Sequence, residues 1–246
     1  MSVTIAQLWR HPIKGIGAEA LEHAFLTPGR PLPGDRSWAV AHAAASTQPG
    51  WQPCRNFLRG AASPQLMAIT AETLANGHLC LRHPQRDALQ IDTTGDAQAL
   101  LSWLAPLWPA DRPAPTRLVQ APPEGMSDAP FASVSVLNMA SLRALSQRLG
   151  VALDTRRFRG NIWLQGLAPW EEFDLIGKTI QIGDTQLHMR EPITRCRATE
   201  ANPDTGLRDA ATLDMLQSGW GHSEFGVYAE VITAGQVCTG GAAKVV

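Results

Sequence analysis

Residues 192–206 read Pro-Ile-Thr-Arg-Cys-Arg-Ala-Thr-Glu-Ala-Asn-Pro-Asp-Thr-Gly and form the most informative stretch of the chain. This segment places the sulfur of Cys196 between the guanidinium groups of Arg195 and Arg197, just before a sharp turn. Neighbouring positive charge lowers the pKa of a cysteine, and the thiolate is the form that ligates metals and attacks electrophiles. Taken alone, the segment fits a plainer interpretation better, because free cysteines usually serve as small buried hydrophobic residues.

Three other clusters place positive charge beside tight turns. Lys14 stands beside Gly15 in a His-Pro-Ile-Lys-Gly-Ile-Gly segment, where glycine lets a ligand approach the backbone closely. Arg36 follows a Pro-Gly-Asp turn at the start of an expected strand. Arg159 lies in a basic loop, residues 156–162, where a planar guanidinium can hold a phosphate through two hydrogen bonds. Each cluster alone is also compatible with a surface ion pair or a solvated basic face.

The order of these motifs changes the interpretation. Pro-Ile-Lys, Gly-Asp-Arg, Arg-Phe-Arg-x-Asn-Ile, Arg-Cys ahead of Pro-Asp-Thr-Gly, and Phe-Gly-Val-Tyr at residues 225–228 follow one another along the chain. This order resembles the MOSC superfamily, which includes the mitochondrial amidoxime-reducing component and the C-terminal domain of molybdenum cofactor sulfurases. The resemblance spans nearly the whole chain. It implies a MOSC N-terminal β-barrel domain over residues 1–120 and a β-rich MOSC domain over residues 121–246.

The resemblance also implies a cofactor site. It carries the role of molybdenum ligand and catalytic residue to Cys196. The chemistry agrees, because a pterin phosphate suits arginine forks and a soft metal–dithiolene centre favours a thiolate ligand. The contacts to the molybdopterin that the resemblance implies are Lys14, Gly15, Arg36, Arg159, Asn161, Arg195 and Tyr228.

Two functions follow from the resemblance. The first is a molybdenum-dependent oxidoreductase that reduces N-hydroxylated substrates. The second is a non-catalytic module that binds, carries or sulfurates molybdenum cofactor. No Gly-x-Gly-x-x-Gly turn for a dinucleotide is present in the sequence, so the enzyme is expected to need a separate redox protein as its electron donor. Neither an iron–sulfur cluster nor pyridoxal phosphate is expected, because no ferredoxin tail and no pyridoxal-phosphate domain is present.

Composition narrows the class of protein further. The 246 residues are 44% hydrophobic and 17% charged, as in an ordinary globular protein, and the net charge is −1. A nucleic acid partner is not expected, since there is no basic excess to neutralise phosphates. Apolar runs fall short of the roughly 18 residues of a membrane span, and the N-terminus lacks a signal-peptide pattern. These features predict a cytoplasmic protein without a membrane partner.

The other three cysteines are expected to be structural. None of the cysteines is spaced two residues from another, as zinc or iron–sulfur loops require. Cys80 is predicted at a half-buried strand position, Cys54 in a loop, and Cys238 in a strand near the end. Neither Cys54 nor Cys238 is expected to have charged neighbours. Tryptophans 163, 170 and 220 are candidates for a pocket wall, although core packing is the commoner role.

Short apolar stretches broken by 21 glycines and 18 prolines predict a β-rich fold with few helices. A helix is expected after Asp96 through residues 100–104, and another over residues 141–149, stopped by Gly150. The proline-rich residues 107–125 are predicted to be a linker rather than a helix or a central strand. Strands are predicted at 3–9, 21–26, 37–41, 65–70, 77–82, 88–92, 134–137, 161–165, 179–182, 186–189, 227–232 and 242–246.

Overall fold

The computed structural model describes residues 2–46 and 48–246, and this part of the chain holds fifteen β-strands and three α-helices. The β-rich fold class is therefore confirmed. The helices are α1 (Ala97–Leu104), α2 (Met139–Leu149) and α3 (Thr212–Trp220). The strands are β1 (Val3–Arg10), β2 (Glu19–Leu21), β3 (His23–Leu26), β4 (Trp38–His42), β5 (Thr70–Thr73), β6 (Leu79–His83), β7 (Arg86–Ile91), β8 (Pro115–Gln120), β9 (Val134–Asn138), β10 (Ile162–Gln165), β11 (Thr179–Ile182), β12 (Thr185–Thr194), β13 (Glu224–Thr233), β14 (Gly235–Cys238) and β15 (Ala242–Val245).

Seven strands form a closed barrel in the order β10-β9-β13-β12-β11-β15-β1, and pairing between β1 and β10 closes it. Closure removes the free edges that an open sheet would expose. The barrel interior is packed with buried aliphatic side chains, as the alternating strand pattern requires: Ile5, Leu8, Val134, Val136, Ile162, Leu164, Ile180, Ile182, Leu187, Met189, Val227 and Val231. The first strand of the chain thus belongs to the same barrel as the strands of the second half.

A second group of elements lies between β3 and β9 along the chain. Strands β4 and β8 pair in an antiparallel ribbon, and β5, β6 and β7 form a three-stranded antiparallel sheet. Helix α1 packs its buried face against them, and together they enclose a separate hydrophobic core. The predicted boundary near residue 120 therefore divides the sequence but not the sheets, because β1, β2 and β3 pair with strands of the barrel or with β14.

Three local predictions are wrong for physical reasons. Residues 65–70 form no single strand: a short 3-10 helix, Pro64–Ala68, precedes β5, since Pro64 favours a first helical turn and cannot donate to a strand ladder. The proline-rich linker contains β8, which tolerates Pro115 because that residue is the first of the strand. Helix α3 was missed, because its first turn carries no capping side chain that would mark its start.

The predicted stop of α2 at Gly150 is confirmed. Gly150 adopts the left-handed conformation, with φ of 70°, and its N–H donates to the last carbonyl groups of the helix. The helix begins two residues earlier than expected, because the Asn138 side chain accepts a hydrogen bond from the N–H of Ala140 (2.8 Å) and caps it there. Across residues 2–46 and 48–246, no helix has the length and apolar character needed to cross a membrane.

Candidate functional site

A cavity of about 330 Å³ brings together seven of the eight residues singled out from the sequence. Its wall combines the loop after β1, the turn before β4, the segment before β10 and the segment after β12. The two halves of the chain thus share one cavity. Its volume lies in the range usual for small-molecule and cofactor sites. The seven residues are Lys14, Gly15, Arg36, Arg159, Arg195, Cys196 and Tyr228.

Cys196 lies two residues after the end of β12 and directly precedes a short 3-10 helix, Arg197–Glu200. Its side chain is accessible, and it lines the cavity. Desolvation by the surrounding protein raises the pKa of the Cys196 thiol, and the negative charge of Asp128 adds to this effect. A hydrogen bond from Ala198 and the charge of Arg195 lower the pKa but do not outweigh burial. The prediction that this pKa lies below its usual value is therefore wrong, although Arg195 acts in the predicted direction.

The two flanking arginines point in different directions. Arg197 is largely exposed, and its Nε donates to Glu200 Oε2 at 3.0 Å. Arg195 turns into the cavity wall, where Nε donates to the carbonyl oxygen of Phe225 (2.8 Å) and Nη1 to that of Phe158 (2.7 Å). Burial lowers the pKa of Arg195 to about 10, so the side chain stays charged at neutral pH. Of the two flanking arginines, only Arg195 is held in the cavity wall that contains the Cys196 sulfur.

Arg36 and Arg159 both have left-handed backbones, with φ of 47° and 48°. This conformation costs a non-glycine residue roughly 1–3 kcal/mol, and such strain concentrates at ligand sites. The two residues also contact each other, because Arg36 Nη2 donates to the carbonyl oxygen of Arg159 at 2.8 Å. Arg159 in turn donates to the carbonyl oxygens of Gly17 (2.9 Å) and Ile13 (3.2 Å), which fixes the loop that carries Lys14. The strained backbones therefore hold two cations side by side.

Lys14 is buried and makes three contacts through Nζ. The amine donates to the carbonyl oxygens of Met126 (2.8 Å) and Ser127 (3.2 Å) and lies 2.5 Å from Asp128 Oδ1. Burial would raise the pKa of Asp128, but the charges of Lys14 and Arg36 outweigh it and lower the pKa. Asp128 therefore contributes a carboxylate to the cavity wall. Its role is not predicted by the sequence, because the contact with Lys14 joins segments more than 100 residues apart.

Position 15 has no room for a side chain, which explains its glycine. Its φ is 72°, and an added Cβ would lie 2.7 Å from the carbonyl oxygen of Leu58. The loop after β1 is thus pressed against the segment around residue 58, which closes one side of the cavity. This close approach explains the glycine beside Lys14 in terms of backbone packing.

Asn161 is the one predicted site residue that the structure does not bring to the cavity. Its Oδ1 accepts hydrogen bonds from the N–H (3.0 Å) and the hydroxyl (2.8 Å) of Ser135, and its Nδ2 donates to the carbonyl oxygen of Trp9 (3.2 Å). These contacts tie β1, β9 and the start of β10 together. In the structure, the amide thus connects strands of the barrel.

Tyr228 lies on β13 and completes the wall. Burial raises the pKa of Tyr228 to about 12, and the charge of Asp128 acts in the same direction. The phenol therefore keeps its proton at neutral pH and presents a hydrogen-bond donor. The three tryptophans lie elsewhere: Trp163 is fully buried in a hydrophobic core, and Trp170 packs on Trp220 with ring centroids 4.5 Å apart.

Cys54 and Arg59 are site residues that sequence reasoning missed. Both line the cavity, and Arg59 Nη1 donates to Cys54 Sγ at 3.4 Å. The expectation that Cys54 has no charged neighbour is thus wrong. A short 3-10 helix, Cys54–Asn56, turns the chain so that residues five apart meet, and no local pattern signals this contact. Cys80 lies in a strand, β6, as predicted, but its side chain is fully buried, and Cys238 ends β14 with an exposed side chain.

Behind Arg36, Asp35 and His11 form a buried polar pair. Asp35 Oδ1 accepts from the backbone N–H of His11 (2.7 Å) and lies 3.3 Å from its Nδ1, while Oδ2 pairs with Arg36. Burial would raise the pKa of Asp35, but the charge of Arg36 and the hydrogen bonds of His11 hold it well below its usual range. Burial, together with the charge of Arg159, lowers the pKa of His11 from 6.5 to about 3.

This pair predicts a specific loss of stability in mild acid. The folded chain keeps His11 neutral down to about pH 3, whereas the unfolded chain protonates it below about 6.5. The contribution of neutral His11 to the free energy of unfolding is therefore complete above pH 6.5, and it is lost as the pH falls from there towards 3. Between pH 7 and pH 5 the wild type should lose about 2 kcal/mol more unfolding free energy than His11→Gln. Urea denaturation at the two pH values measures this difference, and parallel losses in both proteins would contradict it.

Two family models match the chain. The model for the MOSC N-terminal beta barrel domain matches residues 2–109, and the model for the MOSC domain matches residues 124–244. Comparison with curated proteins gives no match.

Comparison with solved structures gives matches to the YUAD protein from Bacillus subtilis and to YiiM from two bacteria. The YUAD protein has a TM-score of 0.49 and 12% identity, over 100% of this chain and 96% of that one. YiiM from Geobacillus stearothermophilus has a TM-score of 0.36 and 19% identity, over 46% of this chain and 53% of that one. YiiM from Escherichia coli has a TM-score of 0.34 and 14% identity, over 46% and 53% of the two chains.

Proposed function

The chain belongs to the MOSC family, with an N-terminal barrel domain and a MOSC domain, and on this basis we propose that its cavity binds molybdenum cofactor. We propose further that the protein, loaded with this cofactor, reduces N-hydroxylated substrates. Members of this family bind molybdenum cofactor, and some of them are oxidoreductases. The observation that carries the proposal is the meeting of an accessible thiol, Cys196, with a cluster of buried and half-buried cations in one cavity.

The residues present fit the chemistry of this cofactor. A pterin phosphate is an anion, and Lys14, Arg36 and Arg159 converge on the cavity from three separate segments. Hydrogen bonds to backbone oxygens hold the guanidinium groups of the two arginines in place before any ligand binds. A soft metal centre needs a soft donor, and Cys196 is the accessible sulfur on the same wall.

In this proposal each group has one task. Lys14, Arg36 and Arg159 hold the phosphate, and Arg195 adds positive charge beside the sulfur. Cys196 would hold the metal as a thiolate and would give up its proton on binding, as thiol ligands do in general. The Tyr228 hydroxyl, protonated at neutral pH, offers a hydrogen-bond donor at the cavity wall. When bound, the cofactor supplies a centre that exchanges two electrons.

The proposed reaction removes oxygen from a nitrogen–oxygen bond. An N-hydroxylated compound takes up two electrons and two protons, the N–O bond breaks, and the products are the reduced nitrogen compound and water. A separate redox protein supplies the electrons, through a small and transient contact of the kind that weak electron-transfer partners make. The protein's contribution is to place the substrate, the thiolate ligand and the cations around one point.

Turnover by the cofactor-loaded chain tests this proposal. Under anaerobic conditions, benzamidoxime should be reduced to benzamidine when reduced methyl viologen is the electron donor. With NADH or NADPH alone, the same preparation should show no reduction above background. Turnover with a nicotinamide nucleotide alone would contradict the need for a separate donor. Transfer of cofactor to an apo-acceptor protein, with no reduction under any condition, would show a carrier instead.

A further inference from the structure

Arg59 differs from the other basic residues of the cavity wall. Its guanidinium donates one hydrogen bond to the sulfur of Cys54 and, within residues 2–46 and 48–246, none to an oxygen. A guanidinium has five N–H donors, and a thiol sulfur is a weak acceptor. The other basic side chains of the wall each donate to at least one protein oxygen: Lys14, Arg36, Arg157, Arg159 and Arg195.

The position of Arg59 relates it to the sulfur of Cys196. Both residues line the same cavity. The next residue, Gly60, lies so close to the segment after Cys196 that an added Cβ would stand 3.2 Å from Ala198 Cβ. Cys54, the partner of Arg59, lines the same cavity. The free donors of Arg59 therefore belong to the part of the cavity that includes the proposed metal ligand.

Several contacts hold the Cys54 and Arg59 segment in place. The buried Asn56 side chain donates to the carbonyl oxygen of Ser46 (2.9 Å) and to Gln52 Oε1 (3.2 Å). The N–H of Leu58 donates to the carbonyl oxygen of Val40 (2.9 Å), which attaches the segment to β4. A guanidinium on a fixed segment binds an anion with less ordering cost than one on a mobile loop.

The charges of the side chains that line the cavity favour an anionic ligand. Six basic side chains line the cavity, against one carboxylate, that of Asp128, in the part of the chain that the structure describes. A cleft lined by one sign of charge attracts ligands of the opposite sign. In the proposed function the cofactor phosphate occupies the cluster around Lys14, Arg36 and Arg159, which leaves Arg59 for another anion.

We propose that Arg59 anchors an anionic group, a carboxylate or a phosphonate, on the N-hydroxylated substrate, while Cys54 holds the guanidinium towards the cavity. This inference rests on the proposed function and names the substrate class of the same site. Because the anchor is a guanidinium on the cavity wall, neutral N-hydroxylated compounds should be poorer substrates than acidic ones. Arg59 acts here through binding, so its loss should change KM rather than kcat.

Steady-state kinetics with three related compounds test the inference: benzamidoxime, its 4-carboxy derivative and its 4-phosphono derivative. We expect the wild type to have a KM for at least one of the two acidic derivatives that is about 10 to 100 times lower than its KM for benzamidoxime. This factor corresponds to the free energy of a charge-assisted hydrogen bond. Arg59→Gln should remove this preference by raising the KM of the acidic compounds far more than that of benzamidoxime, and Arg59→Lys should restore part of it. Arg55→Gln is the matched control, since Arg55 is exposed and lies outside the cavity wall.

A binding measurement separates this inference from the proposed function. Calorimetric titration with 4-carbamimidoylbenzoate, the amidine product with a carboxylate, should show at least about tenfold weaker binding to Arg59→Gln than to Arg55→Gln. If no protein turns over any compound, the proposed function is wrong, and the titration still decides whether Arg59 binds a carboxylate. Equal effects of Arg59→Gln on neutral and acidic compounds, or loss of molybdenum from this variant, would overturn the inference.

Discussion

Replacing Cys196 with alanine is expected to lower the turnover of benzamidoxime by more than about 100-fold and to remove bound molybdenum. The reason is direct: the substitution deletes the one sulfur donor that the proposal gives to the metal. Residues that only orient a metal ligand already contribute about 10–100-fold to affinity or activity, and the ligand itself should contribute more. The fold should survive, because the Cys196 side chain is exposed rather than part of a hydrophobic core.

The control for this variant is Cys238→Ala. Cys238 is also an exposed free cysteine, but it ends β14 and does not line the cavity. Cys54→Ala is unsuitable as a control, because Cys54 lies in the cavity wall beside Arg59. Metal analysis and viologen-coupled turnover should show full activity in Cys238→Ala. Stoichiometric molybdenum and normal turnover in Cys196→Ala would show that the ligand assignment is wrong.

Arg36→Ala is expected to lower the free energy of unfolding by about 3–5 kcal/mol, the usual effect of removing one partner from a buried ion pair. Asp35 would keep its place in the interior with only the hydrogen bonds from His11 to offset its charge. The same change also deletes a cation from the proposed phosphate site. Urea denaturation measures the first effect, and the pterin content after dialysis measures the second.

Arg82→Ala is the matched control for Arg36. Arg82 Nη1 pairs with Glu72 Oε2 at 2.9 Å, but both side chains are about half exposed, and pairs of this kind add little to stability. The double variant Asp35→Asn/Arg36→Ala should be less destabilised than the sum of its single variants, because no charge is then left unpaired. If Arg36→Ala is no less stable than Arg82→Ala, the buried pair does not support the cavity as described.

The sequence predicts which residues meet but only partly what each one does. Arg36 and Arg159 lie within two residues of the starts of predicted strands, whereas Lys14 and Cys196 lie five and seven residues beyond predicted strand ends. The fold brings all four residues to one cavity. The motif order therefore sufficed to place them. Asn161 is only two residues from Arg159 in the chain, yet its side chain points to Ser135 and Trp9. Which side of a chain faces a cavity depends on register, which a motif does not contain.

Electrostatic properties were harder to predict than positions. The basic neighbours of Cys196 suggested a lowered pKa, but in the fold Arg197 faces away and burial dominates. The pairing of Cys54 with Arg59 and the carboxylate of Asp128 also arise from segments that meet only in three dimensions. Desolvation and long-range charge are properties of the assembled cavity, so a local sequence pattern cannot give their balance.

The molybdenum and pterin content of the purified wild-type chain tests the central claim most directly. Protein made in cells that synthesise molybdenum cofactor should carry molybdenum and pterin in equal, near-stoichiometric amounts, measured by metal analysis and by fluorescence of the oxidised pterin. Protein made in cells unable to synthesise the cofactor should carry neither and should keep the same fold. Folded protein from cofactor-producing cells that contains neither molybdenum nor pterin would contradict the account.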